Sequence, residues 1–265
     1  MEAPHDIRRL QAQVAARPGD PLGHAELAAA LFASGQAQAA GDARARARDL
    51  ITGCMHLGLH DVALQAATRL HEAFARVEDT VLLAEISAAR KTPEDLARAR
   101  RLVEAVVEAD PGAVPARLRA AAFALGAGEP SEARRWIEPV AHLDAKTRAL
   151  YIQTLMVEGW VAAAFEEARV AVLAHPGAAE LWELLGANCL ELGRPDAAID
   201  AYSEVLRIAP ERAHIYYNLA LAFARTGSVA AALGVVDAGL EARPGDERLA
   251  TLRAALVDAL GFNPA

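Results

Sequence analysis

Cys54, His56, His60 and His71 are the residues whose types and spacing come closest to chemistry in this chain. Imidazoles four apart on one helix face can share a metal ion, with a thiolate completing the set. Gly58 and an expected turn fall between His56 and His60, so the two rings need not share a face, and Cys54 takes an interior position. The group reads as structural, and no metal or cofactor is assigned. No spacing suggests a Ser-His-Asp or Cys-His nucleophile. The glycines stand singly at helix turns rather than gathered into a loop that could cradle phosphate. Two arginine runs, Arg44-x-Arg46-x-Arg48 and Arg98-Ala99-Arg100-Arg101, would suit phosphate or nucleic acid. Acids stand close to each, Asp42 and Asp49 for the first and Glu94, Asp95 and Glu104 for the second. A solvated helix with local ion pairs accounts for them better. The reading is a non-enzymatic protein with no catalytic residues.

The elements that must carry these residues announce themselves by a period. Pro176, Pro210 and Pro244 are 34 apart, and Gly followed five residues later by Ala recurs in step at Gly159/Ala164, Gly193/Ala198 and Gly227/Ala232. A fixed period of this length means one small unit stacked on copies of itself. Such an array offers a long surface for holding another molecule, with no built-in pocket for chemistry.

Composition agrees. Hydrophobic residues make up 54% but aromatics only 5%, and much of the apolar share is alanine, the best helix former. The formal charge is −8, which argues against a nucleic-acid partner. Most of the excess lies in 144–265, where 16 acids face 10 bases, so a basic or neutral partner fits that half. Two cysteines make no disulfide framework, and a reducing, cytoplasmic setting fits them. The first ten residues lack the apolar core of a secretory signal, and no stretch is apolar over the ~20 residues needed to enter a membrane.

Within 179–212, Trp182, Leu185, Gly186 and Cys189 form one stripe of a first helix. Gly193, Arg194 and Pro195 break it, and Ala198, Tyr202 and Val205 share a face of a second helix that ends before Pro210. The segment resembles the tetratricopeptide repeat, whose W-x2-L-G-x2-Y…A-x3-F…P pattern is met by Trp182, Leu185, Gly186, Ala198, Tyr202 and Pro210, with Cys189 in the usual Tyr slot. Small Gly186 and Ala198 belong where the two helices cross closely. The resemblance implies an all-α, right-handed superhelical solenoid of antiparallel helix pairs. Units are expected at 44–79, 80–113, 114–144, 145–178, 179–212 and 213–246, with a capping helix and tail over 247–265. Residues 1–43 read as irregular helices and a partial repeat, 6–17 resembling a lone second helix. Beyond Gly35, either a stunted helix covers 36–40 or one long helix runs over 36–57.

In the resembled family the first helices line a concave wall whose exposed residues hold the ligand. Carried over by position, the candidates are Lys146, Ala149, Gln153 and Met156; then Glu180, Glu183, Ala187, Leu190 and Glu191; then His214, Tyr217, Asn218, Leu221 and Arg225. Asn218 matches an Asn with which peptide-tail binders of the family grip backbone. Glu183 and Ala187 stand where a carboxylate clamp would need Lys and Asn, which argues against acidic carboxy-terminal tails. An acidic wall of Glu180, Glu183 and Glu191 beside Tyr217 and Leu221 suits a basic and apolar segment. The function implied is a bacterial-type scaffold or adaptor for a protein or peptide. The alternatives are a recognition subunit of an enzyme complex, such as an envelope-polysaccharide or transferase system, and a self-assembling homo-oligomer.

Overall fold

The computed structural model describes residues 3–261, and side chains from Asp6 onward. Among the described residues there are fifteen α-helices and one 3₁₀ turn, with no strand. Contacts divide the chain into two units, residues 1–123 and 124–265.

The first unit holds α1 (Ala3–Ala16), α2 (Pro21–Ala33), α3 (Ala37–His56), α4 (His60–Phe74), α5 (Val77–Ala89), α6 (Pro93–Ala109) and most of α7 (Val114–Gly126). Of the two readings left open beyond Gly35, the long helix is the one formed. No proline occurs between Pro21 and Pro93, so nothing stops α3 before the Leu57-Gly58 turn. Arg44, where the sequence reading began a unit, therefore lies mid-helix. In consequence α2 packs against α1, α3 and α4 together, and is buried at Gly23, His24, Ala25, Leu27, Ala28, Ala29 and Leu31.

Arg44 is not a phosphate ligand in waiting. Its Nε is 2.7 Å from Asp79 Oδ2 and its Nη2 is 3.3 Å from Glu78 Oε2, while Arg48 Nε is 3.8 Å from Asp79 Oδ1. The Asp79 side chain is fully buried in the first turn of α5, so this cluster ties α3 to α5. The ion pairs expected with Asp42 and Asp49 are replaced by these, some 35 residues along the chain. In the second run, Arg100 pairs with Glu104 at 3.0 Å, as its spacing on α6 suggests. Among the described residues, no three His, Cys, Asp or Glu side chains converge as a metal site would need. His56 ends α3, His60 begins α4, and His71 Nδ1 lies 2.9 Å from Thr80 Oγ1.

The second unit holds α8 (Pro130–Ile137), a 3₁₀ turn (Glu138–Val140), α9 (Ala145–Val157), α10 (Val161–Ala174), α11 (Ala179–Glu191), α12 (Pro195–Ile208), α13 (Ala213–Arg225), α14 (Val229–Ala242) and α15 (Glu247–Ala259). From α8 to α15 each helix packs on the next, and the first helices α9 and α11 also touch. Their turns share one construction. At Gly193 the chain takes a positive φ of 68°, and the Arg194 N–H reaches back to the Cys189 carbonyl at 2.8 Å. The same bond recurs from Trp160 to Leu155 and from Ser228 to Phe223. Only a residue without Cβ enters that region freely, which is why glycine marks the period.

A second recurring device joins four of the helices, α2, α7, α11 and α13, to the proline before them. Trp182 Nε1 donates to the Pro176 carbonyl at 2.9 Å, and Tyr216 OH to the Pro210 carbonyl at 3.3 Å, both six residues back. In the first unit His24 Nε2 meets the Pro18 carbonyl at 3.1 Å and Arg117 Nε donates to that of Pro111 at 2.6 Å. Four unlike side chains share only a donor of sufficient reach. Thus Pro18 and His24 stand in the same phase as Pro176 and Trp182, which makes α1 a second helix and α2 a first one.

α15 closes the second unit. Thirty-four residues after Tyr216, Leu219 and Ala220 stand Ala250, Arg253 and Ala254, all exposed. A charged Arg253, ion-paired to Asp237 at 2.7 Å, thus occupies the slot that Leu219 fills with apolar bulk. That substitution makes α15 a cap.

Candidate functional site

The inner positions of α9, α11 and α13 follow one rule, each being the second, fifth or ninth residue of its repeat. Lys146, Gln153, Glu180 and His214 are exposed, and Glu183, Ala187, Tyr217 and Leu221 are partly so. The residues between them are core: Ile152 and Leu155 on α9, Leu181, Leu184 and Leu185 on α11, Ile215 and Leu219 on α13. Ala149, expected on the wall, is a correction. It is buried in the core cluster with Ile152 and Leu155, where the α9 face packs against α10. Met156 and Leu190 are also partly drawn into that core.

Neighbouring first helices bring several of the expected residues together. Glu183 accepts from Arg212 Nη1 at 2.7 Å and lies 3.0 Å from His214 Nε2. Its charge is therefore spent inside the protein, and the acidic wall is reduced to Glu180 and Glu191, which have no ion-pair partner among the described residues. Arg225 Nη1 donates to the Leu190 carbonyl at 3.0 Å, capping the end of α11. Asn218 is partly exposed, and its amide makes no hydrogen bond among the described residues, leaving a donor and an acceptor open. Lys146 lies beside Asp144, the N-cap of α9. The Asp144 carboxyl is held below its usual value chiefly by the Thr147 backbone N–H, against the opposing effect of burial, with Lys146 adding a smaller pull.

Arg248, which the sequence reading did not single out, completes this face. Its guanidinium carbon lies over the Tyr217 ring, 4.6 Å from the centroid. The signal was present in the sequence, since Arg248 stands 34 residues after His214 and so occupies the same inner position on α15. Burial pushes the Cys189 thiol up from its ordinary value, with Arg194 opposing weakly, which disfavours the nucleophilic thiolate. The face is of mixed polarity.

Tetratricopeptide repeat models match residues 93–156 and 189–256, and a second model of the same description matches 162–213, together more than half of the chain. The chain belongs to the tetratricopeptide repeat family. Protein FlbA of Caulobacter vibrioides is 35% identical to this repeat protein over 101 residues, 37% of its length, and the chain spans 17% of FlbA. Solved tetratricopeptide structures share its fold. YrrB, described as a TPR protein with an unusual peptide-binding site, has a TM-score of 0.55 at 18% identity, covering 72% of this chain and 99% of its own. MamA has a TM-score of 0.53 at 23% identity, covering 60% and 95%. A thermophilic TPR protein of Thermus thermophilus, TTC0263, has a TM-score of 0.53 at 18% identity, covering 68% and 98%. Tetratricopeptide arrays are interaction scaffolds, and that much holds for this member.

Proposed function

We propose that this chain performs no chemistry of its own and holds a segment of another protein along α9, α11 and α13. One observation carries the reading. Of the nine residues at the second, fifth and ninth repeat positions of these helices, all but Ala149 reach solvent, while Ile152, Leu155, Leu181, Leu185, Ile215 and Leu219 on the same helices are core. A wall preorganised by stacking lowers the ordering cost of docking an extended or helical segment. The peptide-binding site described for YrrB, on the same fold, supports the assignment.

The wall favours a segment with an apolar side chain near Lys or Arg. Tyr217 and Leu221 supply apolar contact, Asn218 supplies backbone hydrogen bonds, and Glu180 and Glu191 supply uncommitted charge. Glu183 acts indirectly, holding Arg212 and His214 in place. The test is a paired pull-down from native extract with wild-type chain and the Glu180→Lys/Glu191→Lys variant, each bound protein identified by mass spectrometry. The reading expects the specific partner to be lost while the helical circular dichroism persists. Equal recovery by both proteins would defeat it.

A further inference from the structure

Tyr217 separates two depressions at the end of the wall. One, of about 480 Å³, lies between α13 and α15 and is floored by Thr251, Leu252 and Ala255. The other, of about 320 Å³, is lined by Arg212, His214, Arg243 and Arg248 together with the acids Glu211 and Asp246. Arg248 borders both, stacked on the ring between them.

The charges at this place are unequally committed. Asp246 is turned to the start of α15, its Oδ1 accepting from the Arg248 and Leu249 backbone N–H groups at 3.0 and 3.1 Å. Arg212 and His214 share Glu183. Arg248 and Arg243 have no carboxylate partner among the described residues, while Glu211 lines the smaller depression and Glu247 the larger, both exposed. A guanidinium held over an aromatic ring with no carboxylate partner keeps N–H donors available, and its fork can receive a carboxylate bidentately. Beside it, Leu252 and Ala255 offer apolar contact of aliphatic size.

We propose that this end of the groove takes an acidic side chain of the bound segment on Arg248 and Arg243, with an aliphatic side chain beside it over Leu252 and Ala255. The partner segment is then dipolar, with its basic part over α11 and its acidic residue in the smaller depression, at Arg243 and Arg248. This rests on the groove-binding reading and adds direction to it, since the two charges fix which way the segment runs.

The test uses random nine-residue peptides displayed on phage and selected on the full chain, then on Arg248→Gln and Glu180→Lys/Glu191→Lys. The proposal expects wild-type selections to carry Asp or Glu at one fixed distance from an aliphatic residue. Arg248→Gln should lose that acid preference and keep the rest of the motif. A selected peptide resynthesised with Gln or Asn for its acid should bind about five- to tenfold more weakly to wild type and equally to Arg248→Gln. Circular dichroism checks that the variant keeps its helices. Wild-type selections without a fixed acid, or with Lys or Arg in its place, overturn the proposal and leave groove binding standing. The same acid preference in Arg248→Gln also overturns it. Peptides that bind equally to Glu180→Lys/Glu191→Lys, or no enrichment at all, defeat the groove reading and this proposal with it.

Discussion

Gly186 offers the sharpest test of the packing that makes the wall rigid. A Cβ placed there would meet Tyr202 Cε1 at 2.7 Å and Cδ1 and Cζ at 2.9 Å, all closer than such atoms approach. The tyrosine cannot swing aside, being 1% exposed and enclosed by the core that joins α11 to α12. Alanine in place of glycine would ordinarily strengthen a helix interior by about 1 kcal/mol. Forcing a methyl into a filled crossing costs about 1–3 kcal/mol, and a rigid, buried ring puts this site toward the upper end. Gly186→Ala should therefore lose about 1–2 kcal/mol net, read as a lower urea midpoint by circular dichroism. Tyr202→Leu opens the space at its own cost of roughly 2–3 kcal/mol. The double variant should then be at least about 1 kcal/mol more stable than the sum of the single losses. A Gly186→Ala protein as stable as wild type, or strict additivity in the double variant, would refute the close crossing.

Asp79→Asn should destabilise the first unit by about 2–4 kcal/mol, because it removes the buried charge paired with the mostly buried Arg44 side chain and leaves it only the longer contact with exposed Glu78. Urea denaturation should also show that Asp79→Leu combined with Arg44→Met recovers most of that loss; no recovery would mean the cluster is not the cause. Asp144→Ala should cost about 1 kcal/mol near neutral pH through loss of the α9 cap. Its carboxyl is lowered on folding, so this stability is present above the unfolded value of about 3.9 and is lost as pH falls through the folded value. Denaturation midpoints of wild type and Asp144→Ala should hence converge only in that acid range; convergence well above pH 5 would contradict the capping role.

The second unit was the more legible in sequence, for a physical reason. Proline and glycine act locally and strongly, so Pro176, Pro210, Gly159, Gly193 and Gly227 set helix ends almost regardless of context. The span from α2 to α4 keeps the turn glycines Gly35 and Gly58 but has no proline after Pro21, and its arrangement follows from which apolar faces meet across the fold. The Asp79 cluster and the Glu183–Arg212 pair were illegible because each joins residues about thirty positions apart, through the stacking of neighbouring helices. Arg248 and the donor six residues after Pro18, Pro111, Pro176 and Pro210 were legible in principle, since both follow from position alone. Gly239 was also passed over. A Cβ there would lie 2.8 Å from Tyr216 Cβ and 2.9 Å from Leu249 Cδ1, a second close crossing at the cap.

The central claim is that the open face of α9, α11 and α13 does the binding, and photocrosslinking from single positions in the full chain tests it most directly. A photoreactive residue at Ala187 or Leu221 samples that face. One at Val170 or Leu173 samples α10, where both side chains are exposed and apolar enough to be a rival docking surface. The account predicts a specific crosslinked partner from Ala187 and Leu221, absent from Val170 and Leu173 and diminished by Glu180→Lys/Glu191→Lys. The same partner captured from α10, with none from Ala187 and Leu221, would contradict it.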